Sequence, residues 1–345
     1  MFKKKLIAVA GLAVLASAAQ AQVTLYGNVD LSLARTEAKN VDADAVTAVE
    51  SGIHTGSFFG LKGQEDLGGG LKAFFVLESD IGADVGETSE DGLFTRTSEL
   101  GLAGGFGTVK LGNSRSLGFL ANAAYNPFPV TGLLNTSQGV NGYGNLRNSV
   151  TYMSPDLSGF TVAAQYGASE EKGVSSAKGI ALNYAAGPLA VGFNYSTEET
   201  TLGEGLGGFL GALPSELGGL ILGPDAALDA DLDRWQLGAS YDLGAAKLFA
   251  QYGQNKFDFG AGDDLKAKFY QLGVSVPVTA QGTVMASFAN HKIDDTDVKF
   301  RDLSLVYDHA LSKRTNAYVG FKATRAQAGD KETFNTLALG VKHAF

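Results

Sequence analysis

Apolar side chains occupy every second position along much of this chain. In residues 23–34, "VTLYGNVDLSLA", leucine and valine alternate with threonine, asparagine, aspartate and serine. The same period of two recurs in residues 160–167, 180–195, 234–252 and 337–345. This spacing is typical of β-strands, because successive side chains of a strand point to opposite faces of the sheet. The pattern therefore predicts an all-β chain.

The positions opposite the apolar stripe are filled mainly by glycine, alanine, serine, threonine, asparagine and glutamine. A soluble β-sandwich would bury its apolar face and expose charged side chains on the other face. Small uncharged side chains instead suit a barrel with lipid outside and water inside. Aromatic residues tend to stand at the ends of the apolar stripes, as they do at membrane interfaces. The pattern predicts a transmembrane β-barrel.

Short and long connections alternate between the predicted strands. The short connections are residues 66–70, 104–107, 154–159, 185–188, 242–245, 277–282 and 309–315. The long ones are near residues 37–54, 82–91, 118–145, 170–176, 198–232, 257–266, 292–299 and 326–332. Sixteen segments result, and a sheet in hydrocarbon must close because open edges would leave backbone groups unsatisfied. We predict a sixteen-stranded antiparallel up-and-down barrel with short periplasmic turns and long extracellular loops.

The chain begins with the layout of a secretory signal peptide. Three lysines precede a charge-free run from Leu6 to Ala19, and Ala19-Gln20-Ala21 fits a cleavage site between small residues. We predict that residues 1–21 are removed and that residues 22–345 form the barrel domain. A second apolar run, residues 206–222, contains five glycines, a proline and Glu216, which favours a loop over a membrane helix.

Composition excludes several classes of function. There is no cysteine, so disulfides, thiolate metal sites and cysteine nucleophiles are excluded. Losing the three lysines of the signal peptide takes the net charge from −9 to −12, which argues against a nucleic-acid partner. The four histidines are scattered, and the sequence contains neither an H-E-x-x-H nor a G-x-S-x-G motif. We predict that the chain is not an enzyme, although a serine–histidine pair brought together only by folding stays open.

We predict no cofactor. Acidic loops at residues 293–297, 260–264 and 169–171 offer oxygen clusters of the kind that calcium or magnesium prefers, and such ions bridge lipopolysaccharide to proteins at the cell surface. The alternative for each loop is a solvated acidic segment without a bound ion.

Several stretches, read together, carry a resemblance. They are "VTLYGNVD", "FFGLKGQEDLGGGLKAFFVLE", "LFTRTSELGLAGGFGTVKLG", "RNSVTYMSPDLSGF", "YDHALSKRTNAYVG" and the terminal "GVKHAF". In these, the chain resembles the general trimeric porins of the Gram-negative outer membrane, in their beta-proteobacterial branch. The resemblance implies a homotrimer, passive diffusion of small hydrophilic solutes, and a third long loop folded into the lumen. It also implies that the strand ending at Phe345 is the signal read by the outer-membrane assembly machinery.

The resemblance further implies a constriction with basic residues on one wall and acidic residues on the inward loop. Such a transverse field screens solutes by charge and dipole. Arg96 and Arg147 match wall arginines of the family, and Glu78 matches a carboxylate that faces the lumen. Phe58 stands where the family commonly has arginine, and Asn28 where it often has lysine.

Other positions shape this prediction. Lys62 shares the parity of Phe58, which predicts that it faces the lumen from lower down. Residues 125–145 carry no charge, so that the acidic stretch of the family is reduced to Asn126-Pro127-Phe128-Pro129. We therefore expect the arginines to be poorly opposed, and the constriction to be less polar than usual, with a mild preference for anions or partly apolar solutes. The alternative is that Glu87, Glu90 or Asp91 supplies the missing acid.

Glu99 raises a separate question. Alternation from Arg96 predicts that it points out of the barrel. Placing a carboxylate in the lipid at mid-depth would cost up to about 2–4 kcal/mol. A subunit interface would spare that cost, and a position near the headgroups is the alternative.

Two other classes of function remain open on sequence grounds. One is a substrate-specific channel for less polar or anionic solutes, lined by the neutral third loop and the leucine-rich residues 198–232. The other is a barrel with a filled lumen and little conductance whose loops bind other surfaces. Small side chains on the inner positions favour an open pore.

Overall fold

The computed structural model describes residues 23–40, 44–89, 92–137, 144–169, 176–201, 229–260 and 264–345. The predicted signal peptide and the leucine-rich residues 202–228 lie outside the described residues. Within the described ranges, no helix is long and apolar enough to cross a membrane.

Strands make up nearly all of the described chain. They are β1 (Thr24–Lys39), β2 (Val46–Ser51), β3 (Phe58–Gly68), β4 (Leu71–Gly82), β5 (Glu87–Thr88), β6 (Thr97–Gly104), β7 (Gly107–Arg115), β8 (Asn145–Met153), β9 (Phe160–Gly167), β10 (Ala177–Ala186), β11 (Leu189–Thr201), β12 (Asp229–Asp242), β13 (Lys247–Asp258), β14 (Leu265–Pro277), β15 (Gly282–Ile293), β16 (Lys299–Ala310), β17 (Thr315–Ala328) and β18 (Asp330–Ala344). One helix, α1 (Leu117–Ala124), follows β7.

The sheet closes on itself. Each strand pairs antiparallel with its neighbours, and β1 pairs with β18 from Asn28↔Ala344 to Lys39↔Thr333. The other edge of β1 is shared, because β2 pairs with its upper half and β3 with its lower half. Thus β2 and β3 form one wall strand, interrupted at residues 52–57, while β5 only adds a short hairpin to the end of β4. Sixteen wall strands result, and the predicted antiparallel barrel is confirmed.

The two faces of the barrel have the inverted polarity that the sequence pattern predicts. Outward leucines are exposed, with Leu33 at 57%, Leu100 at 61% and Leu339 at 65%. Inward polar side chains are covered, with Gln271 at 1% and Ser304 at 0%. Burying the polar face and exposing the apolar one is favourable only when lipid surrounds the barrel.

The chain terminus is part of the wall. The backbone of Phe345 exchanges two hydrogen bonds with Gly27 of β1, at N···O distances of 3.1 and 3.2 Å. The Phe345 ring lies against Gly27, where a Cβ would meet it at 2.6 Å. The last residue therefore extends the seam between first and last strands and covers a position that only glycine fits.

Candidate functional site in the barrel lumen

The connection from β7 to β8 turns into the barrel. We call its described part, residues 116–137, the inner loop. Ser116 caps α1, because its Oγ accepts a hydrogen bond from the Phe119 N–H at 3.1 Å. Beyond the helix, Tyr125, Phe128 and Leu134 are each at most 3% exposed. The inner loop therefore has its own buried anchors inside the barrel.

Glycines on the wall receive these anchors. The Tyr125 ring lies over Gly192 of β11 and Gly238 of β12, and an added Cβ at either position would overlap the ring. Pro127 lies over Gly273 of β14 in the same way. Leu134 lies over Gly320 of β17, by the same criterion. The glycines on these four strands thus leave recesses in the wall, which we call glycine sockets, and three residues of the inner loop fill them.

Neutral amides and hydroxyls complete the contact. Gln251 Nε2 donates to the Tyr125 carbonyl at 2.9 Å, and Gln271 Nε2 donates to Thr136 Oγ1 at 2.9 Å. Thr136 in turn hydrogen-bonds Ser287 at 2.6 Å. Every partner is buried and satisfied without charge, which is the stable arrangement for polar groups in a covered site. This part of the contact between the inner loop and the wall needs no charged side chain.

The tip of the inner loop is tied to residues 52–57, which we call the inward segment. The backbone N–H of Leu134 donates to the Ile53 carbonyl at 3.0 Å, and that of Leu133 to the Gly52 carbonyl at 3.2 Å. Lys322 Nζ donates to the Leu133 carbonyl at 3.1 Å. The interruption between β2 and β3 therefore supplies the backbone partners of the loop tip.

An ionic cluster fixes the inward segment from behind. Asp30 is 0% exposed, and its Oδ2 accepts from the backbone N–H of His54 at 2.8 Å and of Thr55 at 2.7 Å. Its Oδ1 accepts from the Tyr318 hydroxyl at 2.7 Å. His54 Nε2 lies 2.9 Å from Asp308 Oδ2. The single buried carboxylate of Asp30 thus connects two residues of the inward segment to Tyr318 of β17, which is two strands away in the sheet.

The wall formed by β1, β3, β4 and β6 carries an arginine with acidic partners. Arg96 Nε donates to Glu78 at 3.1 Å, and its Nη1 donates to Asp80 at 2.7 Å. Its guanidinium lies 4.3 Å from the Phe58 ring centroid. Glu78 also accepts from the Tyr26 hydroxyl at 2.6 Å. The expectation that Arg96 is poorly opposed is therefore corrected, because β4 supplies two carboxylates on the same wall.

Two more predicted positions lie beside this group. Lys62 shares the inner face with Phe58, as parity predicts, and its Nζ lies 4.3 Å from the Tyr26 ring centroid. The Asn28 side chain donates to the Gly56 carbonyl at 3.5 Å, a long hydrogen bond.

Arg147 does not face the lumen, contrary to the sequence expectation. Two residues, Arg147 and Asn148, stand opposite the single Asn113 of β7, and Asn148 has a φ of 49°. This is a β-bulge, which leaves Leu146 and Ser149 both on the inner face. The bulge turns exposed Arg147 to the outer face, and sequence alternation alone could not reveal it.

Arg115 is a lumen residue that the sequence reasoning missed. Its guanidinium lies 4.6 Å from the Phe119 ring centroid, and its Nη1 donates to Asn145 at 2.9 Å. Its Nη2 is buried and makes no hydrogen bond within the described ranges. One sequence feature could have indicated this position. Arg115 directly precedes Ser116, the N-cap of a helix that begins inside the barrel.

Glu99 also departs from its predicted orientation. It pairs with Val76 in a register that continues unbroken from Glu78, so all three share the inner face. Its carboxylate binds Lys110 at 3.0 Å and Ser114 Oγ at 2.6 Å. Arg96 precedes the first residue of β6, so counting alternate positions from it fails. The reason given for placing Glu99 in a subunit interface therefore disappears.

The predicted loop residues of the constriction lie against the wall. Asn126 is 7% exposed and Phe128 3%, while Pro127 fills its glycine socket. Glu87 is exposed in β5, and the other two proposed acids, residues 90 and 91, lie outside the described residues.

The inner loop presents apolar groups to the open side of the lumen. Ala123, Ala124 and Leu133 are exposed there, and Phe119 is half-buried. Burial raises the pKa of the Tyr125 phenol, which stays neutral at ordinary pH. The arrangement is therefore asymmetric, with charges on one wall and an uncharged loop surface.

The described residues contain no group of three or more histidines, aspartates or glutamates arranged to hold a metal ion. The acidic loops remain predicted cation sites only. The structure places the buried His54 and His291 in different surroundings, each within its own hydrogen-bond network.

Comparison with known proteins agrees with this architecture. A family model described as Gram-negative porin matches residues 8–329. Outer membrane porin protein 32 of Delftia acidovorans is 32% identical over 377 residues, which cover 99% of this chain and 100% of that protein. An outer membrane porin protein of Bordetella pertussis is 29% identical over 392 residues, with 99% and 100% coverage.

A solved structure gives the same result. The anion-selective porin from Comamonas acidovorans superposes with a TM-score of 0.79 at 29% identity, covering 94% of this chain and 100% of that one. The family and these relatives are channels rather than enzymes. The chain therefore belongs to the Gram-negative porin family, as an integral outer-membrane β-barrel that forms a channel for passive diffusion.

Proposed function

We propose that this channel has a weak preference for small anions, including those with an apolar part. The observation that carries the proposal is the charge balance of the described wall. Three inward cations, Arg96, Arg115 and Lys62, lie with the two carboxylates of Glu78 and Asp80, while the inward Glu99 is neutralised by Lys110. A fixed excess of positive charge in a low-dielectric passage concentrates anions there.

Arg115 is the specific source of this excess. Arg96 is neutralised by its two carboxylates, whereas Arg115 has a neutral amide partner and an unused Nη2 donor among the described residues. Its guanidinium lies against the Phe119 ring and its Nη2 is buried, so its positive charge acts on passing anions through the electric field rather than by direct contact. The Phe58 ring beside Arg96 and the Phe119 ring beside Arg115 add apolar surface, which suits carboxylates with short apolar chains.

The related anion-selective porin supports the direction of the preference. That protein is described as anion-selective, and its identity to this chain is 29% over nearly the whole length. The preference here rests on Arg115, with Phe58, Asn28 and Lys62 as the surrounding constriction residues. The lack of enzymatic activity and of a bound cofactor remain predictions.

We expect Arg115→Gln to reduce the anion preference and Arg147→Gln to leave it unchanged. The first substitution removes an inward charge, and the second removes an equal charge from the outer face. The measurement is the reversal potential of folded protein in a planar bilayer across a tenfold potassium chloride gradient. We expect the chloride-to-potassium permeability ratio to fall roughly twofold or more in Arg115→Gln.

Each outcome of this measurement is informative. Equal shifts in both variants would mean that net charge, not the lumen wall, sets selectivity. Strong cation preference in the unmodified protein would overturn the proposal while leaving the channel intact. No conductance from correctly folded protein would favour the filled-barrel alternative.

We further propose that the channel is a homotrimer and that its contact face runs from β17 through β1 to β7. Outward tyrosine and tryptophan mark the lipid interface, and the described ones are Tyr152, Tyr166, Tyr184, Tyr195, Trp235, Tyr241, Tyr252, Tyr270 and Tyr307. All nine lie on β8 to β16. The remaining outer face carries Leu25, Val49, Leu100 and Leu111 without an interfacial belt, as expected for a protein-covered surface.

We expect the mass of the detergent-solubilised barrel to be that of three chains. Light scattering coupled to size exclusion measures it after subtraction of bound detergent. Leu100→Arg places a charge on the face that lacks interfacial tyrosine and tryptophan, and it should yield monomers. Leu237→Arg places the same charge on the face that carries them, and it should leave the trimer intact. Monomers in the unmodified protein would contradict the assembly. Phe345 keeps its proposed role as the assembly signal.

A further inference from the structure

The outer face of the barrel carries a basic patch at the end opposite the chain termini, which is the extracellular end in this family. The patch lies on β14 to β17, and we call it the basic rim. Its members are Lys266, Lys268, Lys292, Lys299, Arg301 and Arg325. All six alternate with inward residues such as Phe269, Ile293 and Phe300, so they point away from the lumen.

Strand register arranges these cations in two rows. Lys268 stands directly opposite Lys292, which stands directly opposite Lys299. One step towards the membrane, Arg301 stands directly opposite Arg325. Directly opposed residues have Cβ atoms about 4.5–5.5 Å apart, and like charges at that distance destabilise a sheet. The rim therefore concentrates positive charge at a cost that a bound anion would offset.

The protein itself offsets little of this charge. Lys268 binds Asp294 at 2.6 Å, and Arg301 donates to the neutral Asn290 at 3.3 Å. Within the described ranges, Lys292, Lys299 and Arg325 form no ion pair. The adjoining Asp295 and Asp297 are exposed in the turn and make none with the rim.

The position of the rim specifies the surroundings of its ligand. The next outward residues towards the membrane are Leu272 and Leu303, which are 57% and 50% exposed, and Phe288 between them. The row of Arg301 also contains Tyr270, an interface residue. One step along a strand on one face is about 7 Å, so the cations lie at the headgroup level of the outer leaflet.

The positive charge is also local. The same rim over β11 to β13 carries four outward carboxylates, Glu199, Asp231, Asp233 and Asp258, against Lys256 of β13, which binds Asp258 and Asp264. The whole chain has a net charge of −9. The rim thus has a basic half and an acidic half. Because the chain as a whole is negatively charged, the positive charge of the basic half is a local feature and not a property of the whole protein.

We propose that the basic rim binds the phosphate groups of the phosphorylated glycolipid in the outer leaflet. The adjacent guanidiniums of Arg301 and Arg325 can hold one phosphate through bidentate hydrogen bonds. The lysine row holds a second phosphate further out, while the acyl chains lie along Leu272, Phe288 and Leu303. This inference rests on the outer-membrane location and is independent of the proposed anion preference.

The test compares two double variants of the full folded barrel in detergent. Arg301→Gln/Arg325→Gln removes two charges from the rim. Lys313→Gln/Arg314→Gln removes two exposed charges from the turn between β16 and β17 at the opposite end. Each is titrated with fluorescently labelled diphosphorylated lipid A at low salt. Because each cation near an anionic lipid surface contributes about fivefold in affinity, we expect the rim variant to bind roughly thirtyfold more weakly and the turn variant to bind normally.

Further arms separate the sources of phosphate. Dephosphorylated lipid A should bind the unmodified protein as weakly as the rim variant binds the diphosphorylated form, and millimolar inorganic phosphate should compete only slightly. Equal loss in both variants, or unchanged binding in the rim variant, would overturn the proposal. Tight competition by inorganic phosphate would assign the site to free phosphate instead. Channel conductance in phospholipid without glycolipid should be normal in the rim variant, so a failed channel and a failed lipid site give different results.

Discussion

Gly238→Ala is expected to destabilise the folded barrel by about 1–3 kcal/mol and to lower its single-channel conductance. The new Cβ would occupy the space of the Tyr125 ring, which is 3% exposed between β12 and Gly192. Because the wall behind Gly238 is a continuous sheet, the ring has to move towards the lumen. A displaced ring narrows the passage that the inner loop borders.

The matched control is Gly179→Ala. Gly179 lies on the inner face of β10, and its added Cβ would meet Leu117 at 3.4 Å and Ser196 at 3.6 Å, which are ordinary contacts. Replacing a strand glycine at such a site reduces unfolded-state entropy, so stability should be unchanged or slightly higher. Denaturant unfolding from lipid vesicles measures the first effect, and planar-bilayer recordings measure the second.

A double-mutant cycle identifies the cause. In the Gly238→Ala background, Tyr125→Ala removes the overlapping ring and should cost less than it does in the unmodified protein. We expect a coupling energy of about 1–3 kcal/mol between the two positions. Additive effects would mean that the glycine acts on the strand alone and that the socket has no energetic role.

Asp30→Ala is expected to cost about 3–5 kcal/mol, because it leaves three neutral donors at a buried site without an acceptor. The backbone N–H groups of His54 and Thr55 and the Tyr318 hydroxyl would lose their acceptor at a site with 0% exposure. Each buried unsatisfied donor costs about 1–3 kcal/mol. The inward segment should then leave its position, and the tip of the inner loop should lose its backbone partners.

Ser32→Ala on the same face of β1 is the control for this substitution. Ser32 is 3% exposed, its hydrogen bond to the Glu50 carbonyl is long at 3.5 Å, and its hydroxyl also contacts that of Tyr318 without bonding the inward segment, so its loss should cost about 1 kcal/mol. Asp30→Asn keeps the shape and one acceptor oxygen and should lie between the two. A loss in Asp30→Ala no larger than in Ser32→Ala would show that the cluster does not hold the inward segment. Unfolding free energy and noise in single-channel current are the two readouts.

The wall of the barrel could be predicted because it repeats one simple rule. Alternation from Leu337 to Val341 predicted an outward apolar stripe, and those residues are exposed. The same rule failed at Arg147, where a bulge inserts one residue, and at Glu99, where counting began outside the strand. Alternation holds only within uninterrupted strands, and the functional residues lie where strands are interrupted.

The contacts of the inner loop could not be predicted from sequence for a different reason. Tyr125 and Gly238 are more than a hundred positions apart, and neither residue type signals the other. The neutral loop was visible in the sequence, and so was the absence of its acidic residues. That Asp80 of β4 would oppose Arg96 in their place depends on strand register and side-chain direction. Such information exists only once the sheet is closed.

The contact between Asp30 and Tyr318 has a consequence for the order of assembly. These residues are 288 positions apart, and His54 and Asp308 are 254 apart. Contacts between such distant positions form only after the intervening chain has been organised, which makes them late events in folding. Here they require that β17 and β18 have already reached β1. The inward segment, and with it the tip of the inner loop, is therefore fixed only when the barrel closes. The width of the passage is thus set in the last step of folding.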